Sequence, residues 1–329
     1  MKRVSLIIPV YNAEKWLPAF FEALDTQDWE NLQILFSEDH SEDGSLALLR
    51  AYAAREPRAT VITGDNLGVS KARNRALELA DGDYIGFLDA DDTPEPEYLS
   101  RLVSALEETG ADMACCGFTR IYASSGRSDG LPRKNARRQV TDRDGMARLV
   151  LRPDGYTTVV WNKLFRREAI TAPDGSLNRF DETLHIVEDG DFIFRSRVES
   201  AVFLPERLYR YYVRTSGAMY GAVTDRKLTE PEARRKIARA AETMAPDVRD
   251  LARMKYQKGI RDLMLHAVIS GEGNKVRYLM PELKTYRREL FASPALSRKD
   301  KLKYRVYVPV IVLNLRRTGA FLMARLSGH

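Results

Sequence analysis

The N-terminal part of the chain alternates between short apolar runs and segments with apolar residues at helical spacing. Runs typical of buried strands cover residues 4–10, 33–37, 60–63 and 84–88. Helical spacing is found over residues 16–24, 45–54 and 69–80. Strands that alternate with helices usually form a parallel sheet with helices on both faces, so this rhythm predicts an α/β fold with a mostly parallel sheet. Ligands of such sheets bind beyond the carboxyl ends of the strands.

The sequence pattern after the first strands predicts a loop, then further strands and then helices. Residues 124–138 are rich in Ser, Gly, Arg and Lys and predict an exposed loop or hairpin tip, whereas residues 159–165 and 201–213 predict further strands. From Asp225 onward, basic residues are interleaved among Ala, Leu, Met and Ile in a helical pattern. We therefore expect an α/β domain over residues 1–224 and a helical region over residues 225–329.

Charge is distributed unevenly between these two parts. The first part has 28 basic and 35 acidic residues, and the second has 24 basic and 11 acidic residues. An acidic body suits a site for a metal ion and small molecules, whereas a basic region suits an anionic surface. Cys115 and Cys116 are adjacent, and a disulfide between neighbours is strained, so we expect a reducing, cytoplasmic compartment. Residues 4–10 are too short for a signal peptide and lack a cleavage site.

The most distinctive cluster of chemistry is the acidic turn Asp89-Ala90-Asp91-Asp92, which directly follows the apolar run at residues 84–88. Neighbouring carboxylates repel one another unless a cation lies between them, and oxygen ligands suit a hard divalent ion. Mg²⁺ or Mn²⁺ at this place could also bridge two phosphates. A solvated acidic turn that caps the next helix is the alternative.

Four segments in order, residues 4–12, 37–45, 66–74 and 87–92, together resemble the family-2 inverting glycosyltransferases, whose fold is GT-A. Residues 161–167 and 188–192 resemble the acceptor-side segments of the same family. The resemblance covers residues 4–220. It implies an enzyme that moves a sugar from a nucleotide-sugar, favouring a UDP-sugar, onto a hydroxyl of a glycan or lipid-linked acceptor in cell-surface polysaccharide synthesis.

The resemblance also implies roles for single residues at the nucleotide end. Pro9 and Tyr11 would shape the base pocket, with the Tyr11 ring packing against the nucleobase. Asp39 would accept a hydrogen bond from the base, which favours uracil. Lys71 and Arg73 would contact the diphosphate, because phosphates need cationic partners.

At the reacting end, the resemblance assigns the carboxylates. Asp89 would meet the ribose or the metal, and Asp91 would ligate the metal, which would be Mn²⁺ or Mg²⁺. Asp189 would be the general base that takes the proton of the acceptor hydroxyl. The chain departs from the family at His40, where the family commonly has Gly. This exchange bears on the geometry of the loop and on the base preference.

Other classes of protein compete with this interpretation. The stretch Asp89-Ala90-Asp91-Asp92-Thr93 also fits the nucleophile motif of haloacid-dehalogenase-like phosphatases, with Glu188-Asp189 as a metal pair. That family carries the motif near its N-terminus, whereas three strand–helix units precede it here. A glycosyltransferase-like subunit without catalysis is a second alternative. A dinucleotide-binding dehydrogenase is disfavoured because no Gly-x-Gly-x-x-Gly follows the first strand.

Basic clusters flank ten mainly apolar residues at 306–315. This run is too short to span a bilayer but suits a helix that lies at the membrane surface. We therefore expect a peripheral contact with anionic lipid at the inner face of the cell membrane and no nucleic-acid partner. A helix packed on the catalytic domain is the alternative.

Truncation before Ser297 is expected to release the protein from anionic vesicles, because it removes both the apolar run and its flanking charges. Co-sedimentation of the full-length and truncated chains at low and high salt measures the effect, and a thermal melt accompanies it. Equal sedimentation of both forms, or a lowered melting temperature without a membrane effect, would assign the segment a structural role.

Overall fold

The computed structural model describes residues 2–123, 125–132, 136–214, 223–285 and 287–292, together with Arg298 and Leu302. The described residues form two compact units. The second unit consists of residues 184–187 and those from 223 onward, and the first contains the others. Residues 184–187 thus belong to the helical unit, although the sequence pattern placed them within residues 1–224. The predicted membrane segment at residues 306–315 lies outside the described residues.

The first unit begins with the seven elements that the sequence pattern predicts, and none of their ends is shifted by more than three residues. They are β1 (Val4–Val10), α1 (Leu17–Asp25), β2 (Leu32–Glu38), α2 (Ser45–Arg55), β3 (Ala59–Thr63), α3 (Val69–Leu77) and β4 (Tyr84–Phe87). The elements that follow are β5 (Thr93–Pro94), α4 (Tyr98–Thr109), β6 (Met113–Tyr122), β7 (Ser128–Leu131), β8 (Gln139–Asp142), α5 (Arg143–Leu151), β9 (Lys163–Arg166), α6 (Glu188–Arg195) and β10 (Ser200–Val213).

The ten strands of the described residues join one sheet with the order β3-β2-β1-β4-β9-β6-β10-β5, to which β7 adds on β6 and β8 on β10. The strands β3, β2, β1 and β4 are mutually parallel. Beyond β4 the sheet is mixed, because β9 runs antiparallel to both of its neighbours. The predicted α/β class is confirmed. The carboxyl ends of β1, β2 and β4 meet at one edge of the sheet.

The core of the first unit supports this edge of the sheet. Leu6, Ile7 and Ile8 of β1 are completely buried, as expected for a central strand covered on both faces. Burying each such side chain contributes roughly 1.5–3 kcal/mol. At the end of β4, Phe87 contacts Phe192 of α6 edge-on, with the ring centres 5.5 Å apart. The packing of apolar rings therefore holds the start of α6 beside the end of β4.

The second unit is helical, as the interleaved basic pattern predicts. It contains α7 (Glu230–Ala240), α8 (Pro246–Ile269), α9 (Gly273–Lys284) and α10 (Arg287–Ala292). Tyr256, Ile260 and Leu279 are among the side chains that form its core. Within the part of the chain that the structure describes, no helix is both long enough and apolar enough to cross a membrane.

Candidate functional site

The first part of the site lies where β1 and β2 end. Pro9 is half-buried near the end of β1, and Tyr11 follows the strand with 47% of its surface exposed. The Tyr11 hydroxyl accepts a hydrogen bond of 3.3 Å from Nδ2 of Asn66. The amide of Asp39 donates to the carbonyl oxygen of Val10 at 2.9 Å. This backbone bond places Asp39 directly beside the chain segment that carries Tyr11.

Asp39 is buried and connects β2 to the start of α3. Its Oδ2 accepts a hydrogen bond of 2.8 Å from the amide of Gly68, which has a φ of 96° that favours glycine. Its Oδ1 lies 3.6 Å from Nη2 of Arg75. Among the described residues, that Oδ1 is buried without a hydrogen-bond partner. One oxygen of the predicted base-binding carboxylate is therefore buried beside Arg75 without a hydrogen bond of its own among the described residues.

His40, the departure from the family pattern, adopts a φ of 63°. This is the left-handed region, which glycine enters without steric cost and other residues seldom adopt. His40 thus adopts a backbone conformation that favours glycine, the residue that the family commonly has here. The loop therefore carries local backbone strain at this position.

The second part of the site is a cluster of four charged side chains, defined here as the Arg73 cluster: Arg73, Asp89, Glu188 and Asp189. The buried Arg73 guanidinium donates to Oδ1 of Asp189 at 2.7 Å, to Oδ1 of Asp89 at 3.0 Å and to Oε1 of Glu188 at 3.3 Å. These groups come from α3, from the turn after β4 and from the start of α6. One side chain therefore joins three distant segments of the chain.

The cluster holds three carboxylates around one guanidinium. Burial raises the pKa of Asp89 to about 6. The pKa of Glu188 is raised by burial and by the charge of Asp189. Burial lowers the pKa of Arg73, but the three carboxylates outweigh this effect and leave it above its ordinary value. The cluster thus attracts further positive charge.

Asp189 is held at both carboxylate oxygens. Oδ1 accepts from Arg73, and Oδ2 accepts from the amide of Val160 at 3.1 Å. Asp189 lies in the first turn of α6, where the helix dipole favours a negative charge. Asp191 is oriented differently: it is buried and paired with Arg195 of the same helix at 2.7 Å.

Asp91, the other predicted metal ligand, has a different partner. Its Oδ2 accepts from Nη1 of Arg214 at 2.6 Å. The Arg214 guanidinium also lies over the Trp16 ring, 4.7 Å from its centre. The third acid of the turn, Asp92, is buried and accepts from the amide of Tyr212 at 2.9 Å. Each of Asp89 and Asp91 is therefore paired with an arginine.

The chemistry of Asp89 and Asp91 fits a divalent ion. Burial raises the pKa of both carboxyl groups, and a nearby cation would favour their charged forms. Within the described parts of the chain, no group of three or more acidic, His or Cys side chains is arranged to hold a metal. Mg²⁺ is commonly held by one or two carboxylates together with substrate phosphates, so two carboxylates suffice when a diphosphate is present. The use of a metal stays a prediction.

Lys71 is not part of the Arg73 cluster. It is exposed on the first turn of α3. Its positive charge acts on Glu182: the pKa of Glu182 is lowered chiefly by a hydrogen bond from Asn74, and the charge of Lys71 contributes to this shift. Arg73, predicted to contact a diphosphate, is bound by carboxylates. Contacts of either residue with a diphosphate stay predictions.

Sequence patterns missed three contributors to the site. Glu188 was visible as part of an acidic pair, but nothing indicated that it shares a guanidinium with Asp89. Arg214 follows β10 without any motif that links it to the acidic turn. The amide of Val160 is a backbone group, which no side-chain pattern can reveal.

Comparison with known proteins identifies the family. Residues 5–172, about half of the chain, match the family described as Glycosyl transferase family 2. The chain belongs to glycosyl transferase family 2. An uncharacterized glycosyltransferase of Escherichia coli K12, YibD, is 32% identical over 217 residues, which are 64% of this chain and 61% of that protein. The chain thus spans about three fifths of the length of this relative.

Solved structures show the fold of this family 2 chain. It is similar to the crystal structure of S. aureus TarS 1-349 in complex with UDP-GlcNAc, with a TM-score of 0.74, 18% identity and coverage of 99% of this chain and 92% of that one. Mannosyltransferase PcManGT from Pyrobaculum calidifontis, in complex with GDP-Man and Mn²⁺, matches with a TM-score of 0.53 and 17% identity over 99% of this chain and 85% of that one. The fold is GT-A, as predicted.

His40→Gly is expected to raise the free energy of unfolding by up to about 1 kcal/mol, because glycine adopts the left-handed conformation without steric strain. Chemical denaturation measures the change. Glu42→Gly, in the same exposed loop but without a positive φ, is the control and should not stabilise the protein. A loss of stability in His40→Gly would mean that the imidazole makes a contribution larger than the strain.

Proposed function

We propose that this family 2 chain is an inverting glycosyltransferase that moves a sugar from a UDP-sugar to a hydroxyl acceptor, with Asp189 as the general base. The observation that carries the proposal is the shared guanidinium of Arg73. This guanidinium lies 2.7 Å from Asp189 and 3.0 Å from Asp89. The proposed base, Asp189, therefore lies beside Asp89, the carboxylate proposed to contact the nucleotide-sugar donor. A single-displacement reaction needs this proximity of donor and base.

The reaction follows from this arrangement. The acceptor oxygen attacks the anomeric carbon from the face opposite to the nucleotide, and Asp189 takes the hydroxyl proton as the new C–O bond forms. The bond from the anomeric carbon to the phosphate oxygen breaks, and its electron pair leaves with the nucleoside diphosphate. Arg73 and the amide of Val160 orient the carboxylate of Asp189 for this step.

Recognition of the nucleotide is proposed at the ends of β1 and β2. The half-exposed ring of Tyr11 offers a surface on which a base can stack. Oδ1 of Asp39 would accept a hydrogen bond from the N–H of uracil. The similar TarS structure holds UDP-GlcNAc and the PcManGT structure holds GDP-Man, so both nucleotides belong in the test.

A divalent metal ion is proposed as cofactor. Asp91 and Asp89 would hold Mn²⁺ or Mg²⁺ together with the diphosphate, and the ion would offset the charge of the departing nucleotide. The Mn²⁺ in the PcManGT structure supports this proposal.

The proposed acceptor is a hydroxyl of a glycan or lipid-linked glycan in cell-surface polysaccharide synthesis, as the resemblance implies. The proposed location is the cytoplasm, with the basic region beyond Asp225 in peripheral contact with the inner face of the cell membrane. This part of the proposal depends on the charge excess of that region.

A donor screen tests the proposed function. Release of nucleoside diphosphate is measured across UDP-, GDP- and dTDP-sugars with Mn²⁺ or Mg²⁺ and a set of glycan acceptors. Acceptor-dependent turnover of a UDP-sugar is expected. Hydrolysis of a simple phosphate ester without a sugar nucleotide would support the phosphatase alternative, and binding of nucleotide without turnover of any donor would support the non-catalytic one.

Removal of the metal is expected to abolish donor turnover, and Asp91→Ala should reproduce the loss without unfolding the chain, because the Asp91 side chain is partly exposed. Turnover in chelator and circular dichroism of the variant measure both effects. Asp174→Ala, which removes an exposed carboxylate from a separate loop, serves as the control. Full activity in excess chelator would exclude the metal from the mechanism.

Asp189→Asn is expected to keep donor affinity and lower turnover by roughly 10²-fold, the scale of losing a general base. Steady-state kinetics and nucleotide titration separate the two quantities. Asp191→Asn is the matched control, since it disrupts a buried pair with Arg195 and should lower the melting temperature while folded protein stays active. Wild-type turnover in Asp189→Asn would assign proton removal to another group.

A further inference from the structure

A fully buried lysine lies behind the segment that contacts Asp189. Lys163 begins β9, and its ammonium group donates to the carbonyl oxygens of Thr157 at 3.0 Å and Val159 at 2.7 Å, and to Oδ1 of Asn162 at 2.8 Å. An ammonium group has three N–H donors, so these oxygens can occupy all of them, and the Cys115 side chain is a further partner. A buried charge is retained only where such bonds replace its water. Lys163 therefore holds residues 157–162 in one conformation.

The segment that Lys163 binds is strained. Thr157 has a φ of 62°, and the left-handed region is strongly disfavoured for a β-branched residue. Its Oγ1 and the hydroxyl of Tyr156 are buried without hydrogen-bond partners among the described residues. Strained backbone of this kind persists where its surroundings hold it in place, and it is found mainly at functional sites. The bond from Lys163 to the Thr157 carbonyl is one of the contacts that hold it.

One peptide group connects Lys163 to the proposed base. The carbonyl of Val159 and the amide of Val160 belong to the same planar peptide group. Its oxygen accepts from the ammonium of Lys163 at 2.7 Å, and its N–H donates to Oδ2 of Asp189 at 3.1 Å. Because a hydrogen bond at one end of a peptide group polarises the other end, the ammonium also strengthens the bond to Asp189.

We propose that Lys163 is a positioning residue for the general base. It fixes the Val159–Val160 peptide group so that the Val160 amide holds Oδ2 of Asp189, while Arg73 holds Oδ1. The proposal rests on the proposed function, since it assigns proton removal to Asp189. With both oxygens held, the carboxylate cannot rotate away from the acceptor hydroxyl.

The test compares Lys163→Met with the wild-type chain, since methionine fills much of the same volume without the three donors. We expect kcat to fall roughly 10- to 100-fold, the scale of a small misplacement of a reacting group. The donor KM and the UDP dissociation constant should change less than about twofold, because the nucleotide end lies at β1 and β2. Hydrogen exchange of the Val160 amide should become faster.

Arg143→Met is the matched control. The Arg143 guanidinium also donates to three backbone carbonyls, those of Phe194, Ser196 and Val198, but at the far end of α6. This variant should lower the melting temperature and leave both kcat and the exchange of the Val160 amide near wild-type values. An equal fall of kcat in Arg143→Met would show that Lys163 acts only through general stability, which overturns the proposal.

A double mutant separates positioning from an independent effect. If Lys163 acts through Asp189, Lys163→Met should lower the turnover of Asp189→Asn by less than about twofold. If the turnover losses of the two single variants multiply in the double mutant, the proposal is overturned. A folded Lys163→Met variant with wild-type kcat would also overturn it. If Lys163→Met does not fold, Lys163→Gln keeps donors for two of the acceptors and takes its place.

Hydrogen exchange distinguishes this proposal from the proposed function, because it needs no substrate. In the wild-type chain the Val160 amide should be among the slowly exchanging ones. Rapid exchange there would overturn the role of Lys163 whatever the chain catalyses. A chain that transfers no sugar, but whose Val160 amide exchanges slowly in the wild type and faster in Lys163→Met, would give a different result. It would contradict the role of Asp189 as a base and leave the role of Lys163 in holding the Val160 amide intact.

Discussion

The guanidinium of Arg73 is the interaction on which the candidate site depends. It brings Asp89 together with the adjacent pair Glu188 and Asp189, which lies far from Asp89 in the chain, and it is buried while doing so. Removing one partner from a buried group of charges typically costs several kcal/mol, because the others are left unpaired in a medium of low polarity. Without Arg73, three carboxylates would face one another, and the start of α6 would lose its polar connection to α3 and to the turn after β4.

The apolar core makes this arrangement possible. β1 and β4 are buried on both faces, which fixes the edge where their loops begin. Phe87 ends β4 two residues before Asp89, and its ring packs against Phe192, three residues after Asp189. Ring packing thus sets the separation of the two carboxylates before any charge is considered. The polar network then sets their orientation, with an arginine on one side of Asp189 and a peptide group on the other.

The sequence predicts the first half of the fold closely because its periodicities are local. The alternation of strands and helices through β4 follows from apolar spacing alone, and the acidic turn falls at the sheet edge because parallel strands end there. The mixed pairing of β9, β6 and β10 depends on contacts between distant segments, which no local pattern encodes. The partners of Asp91 and Asp189 cannot be predicted for the same reason. Arg214 is close to Asp91 in space, and the Val160 amide is close to Asp189, but each is remote from its partner along the chain.

His40 and Arg73 show two different limits of predicting structure from sequence. At His40, the family pattern indicated a glycine, and the φ of 63° is one that glycine adopts without steric cost. At Arg73, the residue type suggested a phosphate contact, whereas the fold surrounds it with carboxylates. A residue type limits the partners that a side chain can have, and the tertiary structure selects among them.

The stereochemistry of transfer is the most direct test of Asp189 as a single general base. Nuclear magnetic resonance of the product, recorded after turnover of an α-linked UDP-sugar, reports the configuration at the anomeric carbon. Asp189 as a single base beside Asp89 predicts direct displacement at the anomeric carbon, and hence a β-linked product. An α-linked product would contradict this mechanism, because retention requires chemistry that one general base at Asp189 does not provide.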